Sequence, residues 1–168
     1  MCRIFVIFAE NNPMKRALLF LLLALTVPFS RAGAQTVALG EKVPELRVSE
    51  WIGGQQPKPA QLTWIEFFHA QNPSSVTSLE RLKALSSKLG TKLRIIVLSR
   101  EKGEETLRVL TPYVSPRIGV GIDPSGRTFA AFGVQYVPFG VLTDARNRAL
   151  WLGNSLQLKE ETIRDNLH

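Results

Sequence analysis

The chain has 168 residues, a net charge of +7 and a single cysteine. This length suits one domain with a targeting segment and is too short for two ordinary domains. Hydrophobic residues make up 45% of the chain and charged residues 21%, a composition that excludes disordered and collagen-like proteins. One cysteine excludes an intramolecular disulfide, and with two histidines we expect neither a metal site nor another cofactor.

The first 34 residues have the pattern of a secretory signal peptide. A basic pair beginning at Lys15 precedes an apolar run over residues 17–29, and residues 32–34 read Ala-Gly-Ala, as a signal peptidase site requires. The run contains Pro28 and is shorter than the roughly 20 apolar residues of a membrane-spanning helix. We therefore predict export to the periplasm or the extracellular space and cleavage of residues 1–34. The alternative is that the segment stays uncleaved as a membrane anchor. We expect no membrane contact other than through this segment.

The start codon and the charge both depend on this segment. Met14 begins a more typical signal peptide than the first residue does, so residues 1–13, with Cys2, fit a start codon assigned too early. The signal segment holds four of the 21 basic and one of the 14 acidic residues, so residues 35–168 keep 17 and 13, a net charge of +4, and no cysteine. No run of five like charges occurs, so nucleic acid is not an expected partner.

The predicted domain begins with a lead-in over residues 35–60 that is rich in proline and glycine. It is expected to form at most a short edge strand, such as residues 46–51. The domain proper is predicted over residues 61–168. Its first strand is predicted at residues 62–68, where aromatic and β-branched residues predominate.

A long helix is predicted directly after this strand. Asn72 suits the N-cap and Pro73 the first helical position. Apolar residues then recur at steps of three and four as far as Leu89, which gives the helix one apolar face. Gly90 is a typical C-terminal stop, so the helix is predicted to end there.

The remaining elements follow from similar patterns. Continuous apolar runs predict core strands, and turn residues separate them. Strands are predicted at residues 93–98, 118–122, 139–143 and 149–152, and helices at residues 104–110, 127–132 and 159–167. Their order predicts an α/β domain with a central mixed sheet that is flanked by helices on both faces.

Two segments at this spacing resemble the thioredoxin superfamily, in particular its secreted TlpA/ResA-like branch. Residues 64–75 read WIEFFHAQNPSS, which is similar to the family's strand-to-helix segment E/N-F-W-A-x-W-C-x-P-C. Residues 132–144 read FGVQYVPFGVLTD, which is similar to its Y-x-V-x-x-x-P-x-x-x-x-I-D segment. The resemblance covers residues 38–167. It implies a thioredoxin-like fold, in which Pro138 would be cis and face the active site.

The resemblance also shows where the redox cysteines of the family would lie. Asn72 stands at the position of the nucleophilic cysteine and Ser75 at that of the resolving cysteine. Dithiol exchange needs a thiolate at the helix N-terminus and a second thiol that releases the mixed disulfide. The Asn72 amide cannot act as the attacking thiolate, and the Ser75 hydroxyl cannot act as the second thiol. Because residues 35–168 also contain no cysteine, we expect that they cannot perform this exchange. A thiol–disulfide oxidoreductase label would describe the family better than these residues.

The same comparison implies a binding surface. In thioredoxins the backbone before the cis-proline pairs with an extended substrate peptide, a form of strand addition. The partner expected here is therefore an extended peptide or an envelope protein, and the predicted binding residues are Asn72, Pro73, Ser74, Ser75, Val137 and Pro138. The alternative role for Pro138 is to hold the turn. The N–H groups of Ser74 and Ser75 also raise the alternative of a small-anion site.

Glu66 and His69 are the remaining candidates. The family often carries a buried acid at the position of Glu66 that moves protons at the cysteine pair, and burial without a cation raises a carboxyl pKa. The alternative is a hydrogen-bonded strand residue. A non-redox enzyme would join Ser75, His69 and Glu66 in a hydrolytic triad, but the sequence has no G-x-S-x-G nucleophile elbow.

These observations together predict an exported thioredoxin-fold protein without the redox cysteine pair. The leading interpretation is a non-catalytic module that binds a peptide or protein, or an accessory to a redox system whose cysteines lie in another chain. The non-redox enzyme stays the alternative.

Overall fold

The computed structural model describes residues 37–54 and 56–167. The predicted signal peptide at residues 1–34 lies outside the described residues, so its export and cleavage stay predictions. No helix within the described part of the chain has the length and apolar character needed to cross a bilayer.

Six strands form one mixed sheet in the order β1-β4-β3-β2-β5-β6. Strands β2, β3 and β4 are parallel, whereas β1, β5 and β6 run antiparallel to their neighbours. The strands are β1 (Glu50–Ile52), β2 (Leu62–Phe68), β3 (Leu93–Ser99), β4 (Ile118–Ile122), β5 (Phe139–Asp144) and β6 (Ala149–Asn154). Every residue of β2 is buried, as expected for a central strand that is covered on both faces.

Four α-helices connect or follow these strands. They are α1 (Pro73–Leu89), α2 (Glu104–Leu110), α3 (Arg127–Ala131) and α4 (Glu160–Asp165). One-turn 3₁₀ helices follow α1, α2 and β6, and the last of these spans Ser155–Gln157.

The core lies on both faces of the sheet. On one face Leu79 and Leu82 of α1 and Ile163 of α4 pack on even-numbered side chains of β2 such as Trp64. On the other face Phe129 and Phe132, at and just after α3, pack with the lead-in on odd-numbered side chains such as Phe67. This arrangement confirms the predicted α/β class, with a mixed sheet covered on both faces.

The strand of the lead-in lies later in the sequence than predicted. Its strand covers Glu50–Ile52 and pairs with β4, rather than residues 46–51. The reason is that Leu46 and Val48 use their side chains to cover the second core, so the chain reaches the sheet edge only afterwards. Elsewhere the predicted elements are present, and their ends shift by at most two residues, as at the C-terminal helix, which spans Glu160–Asp165.

The pairing of β2 with β5 positions the candidate site. Phe67 pairs with Phe139, so the residues that precede β5 lie beside the end of β2. The chain leaves β2 at Phe68 and enters α1 at Pro73. The α1 N-terminus and the loop before β5 therefore meet at the same edge of the sheet.

Candidate functional site

Asn72 joins the start of α1 to the loop before β5. Its Oδ1 accepts a hydrogen bond from the Ser74 N–H at 2.9 Å, which is the predicted N-cap. Its Nδ2 donates to the carbonyl oxygen of Val137 at 2.9 Å. The Val137–Pro138 peptide bond is cis. The structure thus brings the predicted binding residues of the two segments together, with the Asn72 amide as the bridge.

The first N–H groups of α1 are already engaged within the helix start. Ser74 donates to the Asn72 side chain, while Ser75 and Val76 donate to the Asn72 carbonyl at 2.9 and 3.3 Å. An anion at this position would have to displace those contacts. The geometry therefore does not support the small-anion alternative.

Ser75 occupies the position that the sequence resemblance assigns to the second cysteine of the family. Its side chain is fully buried, and its hydroxyl has no hydrogen-bond partner among the described residues. A buried hydroxyl without a partner costs roughly 1–3 kcal/mol in desolvation. A cysteine thiol behaves as a small apolar group and avoids most of that cost. The surroundings of Ser75 thus suit an apolar side chain better than a hydroxyl.

Glu66 lies beneath α1 with none of its surface exposed. Its Oε2 accepts hydrogen bonds from Trp64 Nε1 at 2.8 Å and Ser155 Oγ at 2.6 Å, and its Oε1 accepts one from Ser78 Oγ at 2.7 Å. Burial raises the pKa of the Glu66 carboxyl to about 7, although the three donors act in the opposite direction. Glu66 is therefore a buried, hydrogen-bonded strand residue, and its raised pKa is the one expected for a buried carboxyl without a cation.

The side chains around this carboxyl pack closely against β5. A Cβ atom at position 140 would lie 2.0 Å from Trp64 Cζ2 and 2.8 Å from Ser155 Oγ, so Gly140 is required for this packing. The Trp64 ring also stacks on Trp151 with 5.4 Å between ring centres. Trp64 therefore serves both the core and the Glu66 hydrogen bonds.

The residues of the proposed triad are not joined. His69 Nδ1 accepts the Gln71 N–H at 3.2 Å, and its Nε2 lies 3.0 Å from Glu101 Oε1. Glu66 is bound to Trp64 and two serines, and Ser75 has no partner among the described residues. A triad requires hydrogen bonds from nucleophile to base and from base to acid, and neither is formed here. The non-redox enzyme hypothesis thus lacks its geometric basis.

A cleft of about 180 Å³ opens beside Val137. Its wall combines aromatic and charged groups from the ends of β2 and β3, from α3 and from the loop before β5. They are Phe68, His69, Arg100, Glu101, Phe129, Val134, Gln135, Tyr136 and Val137. Tyr136 is 51% exposed, and its ring meets Phe139 edge to face. Within residues 37–54 and 56–167, by contrast, no three His, Cys, Asp or Glu side chains cluster as metal ligands would.

Solved structures of thiol–disulfide proteins superpose on this chain. A protein from Chlorobium tepidum described as the thiol:disulfide interchange protein DsbE matches with a TM-score of 0.68 at 17% identity, over 79% of this chain and 100% of its own. This chain has the thioredoxin-like fold. The fold implied by the two sequence segments is thereby confirmed.

Further thioredoxin-like structures match in the same way. StoA from Bacillus subtilis matches with a TM-score of 0.58 at 12% identity, over 76% of this chain and 100% of its own. A secreted disulfide oxidoreductase from Mycobacterium tuberculosis matches with a TM-score of 0.57 at 10% identity, over 72% and 93%. No protein-family model and no curated protein sequence matches the chain. At these identities the likeness establishes the thioredoxin-like fold alone.

Sequence reasoning missed several residues of the site. Ser78 carried a signal, because it lies three residues after Ser75 and therefore on the same helix face. Ser155 carried none, since it follows the last strand and reaches Glu66 only through the tertiary fold. Arg100 and Tyr136 of the cleft likewise come together from distant segments.

The raised pKa of Glu66 predicts a distinct pH dependence of stability. The unfolded chain releases this proton near pH 4.5 and the folded chain near pH 7, so the folded state binds more protons in between. The free energy of unfolding should therefore fall as the pH rises through this window, by roughly 3 kcal/mol from this group. In the Glu66→Gln variant, whose side chain at position 66 cannot ionise, the free energy of unfolding should no longer show this fall. Urea unfolding of both proteins from pH 4 to 8 measures it, and an equal slope in the variant would refute the assignment.

The Asn72 bridge predicts a graded loss of stability. Asn72→Ser keeps an oxygen for the Ser74 N–H but loses the donor to Val137, so the free energy of unfolding should fall by about 1 kcal/mol. Asn72→Ala also loses the helix cap, so the loss should be about 2 kcal/mol. Urea unfolding measures both losses. If the serine variant is as stable as the parent, the bridge to Val137 contributes nothing.

Proposed function

We propose that this protein is an exported, redox-inactive thioredoxin-fold protein that binds an extended peptide beside Val137. The observation that carries the proposal is the state of the two positions where related proteins would have their cysteines. Asn72 there forms a bridge to Val137, and Ser75 is buried without a partner among the described residues. The cleft beside Val137 offers space for a peptide side chain, while positions 72 and 75 carry no thiol for disulfide exchange.

The backbone of Val137 supports peptide binding. Its N–H donates to no acceptor in the described part of the chain, whereas its carbonyl accepts from Asn72. Strand addition uses such free main-chain groups for affinity and neighbouring pockets for specificity. A peptide can pair with the N–H while Asn72 keeps the carbonyl, and the cleft beside Val137 supplies the pocket.

The exposed face of Tyr136 supports the same position. Tyrosine is enriched in binding hot spots, and Tyr136 is half exposed at the wall of the cleft. Tyr136 lines the cleft and is held against Phe139, so its ring is presented without much loss of side-chain freedom on binding.

Export rests on the signal pattern of residues 1–34. The likeness to a structure from Mycobacterium tuberculosis that is described as secreted agrees with it. Mass spectrometry of the N-terminus after expression of the full chain tests the export argument separately from binding.

Peptide binding is tested with a library of random ten-residue peptides. The full chain is expressed so that any processing takes place, peptides are selected on it, and their dissociation constants are measured. Tyr136→Ala should weaken binding about tenfold, because truncating a central aromatic contact typically removes more than 1 kcal/mol. Leu39→Ala is the matched control, since Leu39 is a 64% exposed apolar residue that does not line the cleft.

Two results would contradict the proposal. Selection could recover no peptide that binds the parent protein. Alternatively, the selected peptides could bind the Tyr136→Ala variant as tightly as they bind the parent protein.

A further inference from the structure

The charged side chains that line the cleft do not all have a partner of opposite charge among the described residues. His69 lies 3.0 Å from Glu101 Oε1, and the other oxygen of Glu101 accepts from Thr106 Oγ1 at 3.4 Å. Lys102, outside the cleft, pairs with Glu50. Arg100 has neither a carboxylate partner nor a hydrogen bond within residues 37–54 and 56–167. The cleft thus presents one cation that is not balanced by the described residues.

Packing holds the Arg100 guanidinium at the cleft wall. It lies 6.0 Å from the centre of the Phe129 ring, within the range of a cation–π contact. A Cβ atom on Gly126 would come to 2.9 Å from Arg100 Nε, so the side chain also lies directly against the turn before α3. A positioned guanidinium loses little freedom on binding and presents a planar set of donors that matches a carboxylate.

We propose that the cleft selects peptides that place an aspartate or glutamate against Arg100. This proposal rests on the proposed function, because it names the peptide class that the same site prefers. An extended peptide that pairs with the Val137 N–H can direct a neighbouring side chain into the cleft, where Arg100 and Val137 share the wall. Charge complementarity between the acid and Arg100 supplies the selectivity.

Glu101 sets a limit on this preference. Its carboxylate lines the same cleft and repels an acidic side chain, although His69 and Thr106 occupy its two oxygens. The expected selectivity is therefore moderate, about fivefold, as for ion pairs that remain partly in water. It should weaken as the ionic strength rises.

The test uses peptides recovered from the random ten-residue library. Those that bind the full chain should be enriched in aspartate and glutamate over asparagine and glutamine. The tightest acidic peptide should bind about fivefold more tightly than the same peptide with its acid replaced by the matching amide. Arg100→Gln should remove this difference, and Glu101→Gln should increase it. Lys102→Gln is the matched control for net charge and should leave it unchanged.

Four outcomes overturn the inference. Equal affinities for the acidic and amide peptides, or a preference that survives in a folded Arg100→Gln variant, reject Arg100 as the determinant while peptide binding itself stands. If Lys102→Gln abolishes the preference as completely as Arg100→Gln does, the preference comes from the net charge of the protein and not from Arg100. Failure to recover any peptide rejects the binding function together with the preference. Thermal melting of each variant shows that it is folded.

Discussion

The buried carboxyl of Glu66 imposes the tightest constraint on this structure. It lies on the central strand with no exposed surface, so its oxygens need donors from the protein itself. Trp64 supplies one from the same strand, Ser78 one from α1 and Ser155 one from the turn after β6. Helix α1 and the last turn are thereby fixed on β2. The serine hydroxyls can also accept, so the protonated and ionised forms of the carboxyl are both satisfied.

This anchoring holds the surface above it in place. Since α1 is tied to β2, its N-terminus at Asn72 stays beside the loop that ends in Pro138, and the Asn72 amide closes the remaining gap to Val137. In redox relatives an acid at the position of Glu66 is expected to serve a thiol pair. Here its partners are an indole and two hydroxyls, and the nearby positions 72 and 75 carry no thiol for it to serve.

The sequence predicted what depends on local pattern. The apolar strands, the Asn72 cap and the order of elements follow from periodicity and capping chemistry, and the structure contains all of them. The edge strand was predicted too early, because Leu46 and Val48 face a core that only the folded sheet creates. The Ser155 contact of Glu66 and the surroundings of Arg100 also escaped prediction, since segments far apart in the chain supply them. Those contacts are set by topology.

The central claim is that a thioredoxin-like fold persists here without thiol chemistry. Insulin-disulfide reduction by dithiothreitol tests it most directly, with the full chain, its Cys2→Ser variant, and a variant carrying Asn72→Cys and Ser75→Cys compared in one assay. We expect the first two to leave the rate unchanged and the double cysteine variant to accelerate it. Acceleration by the unmodified chain that persists in Cys2→Ser would contradict the account.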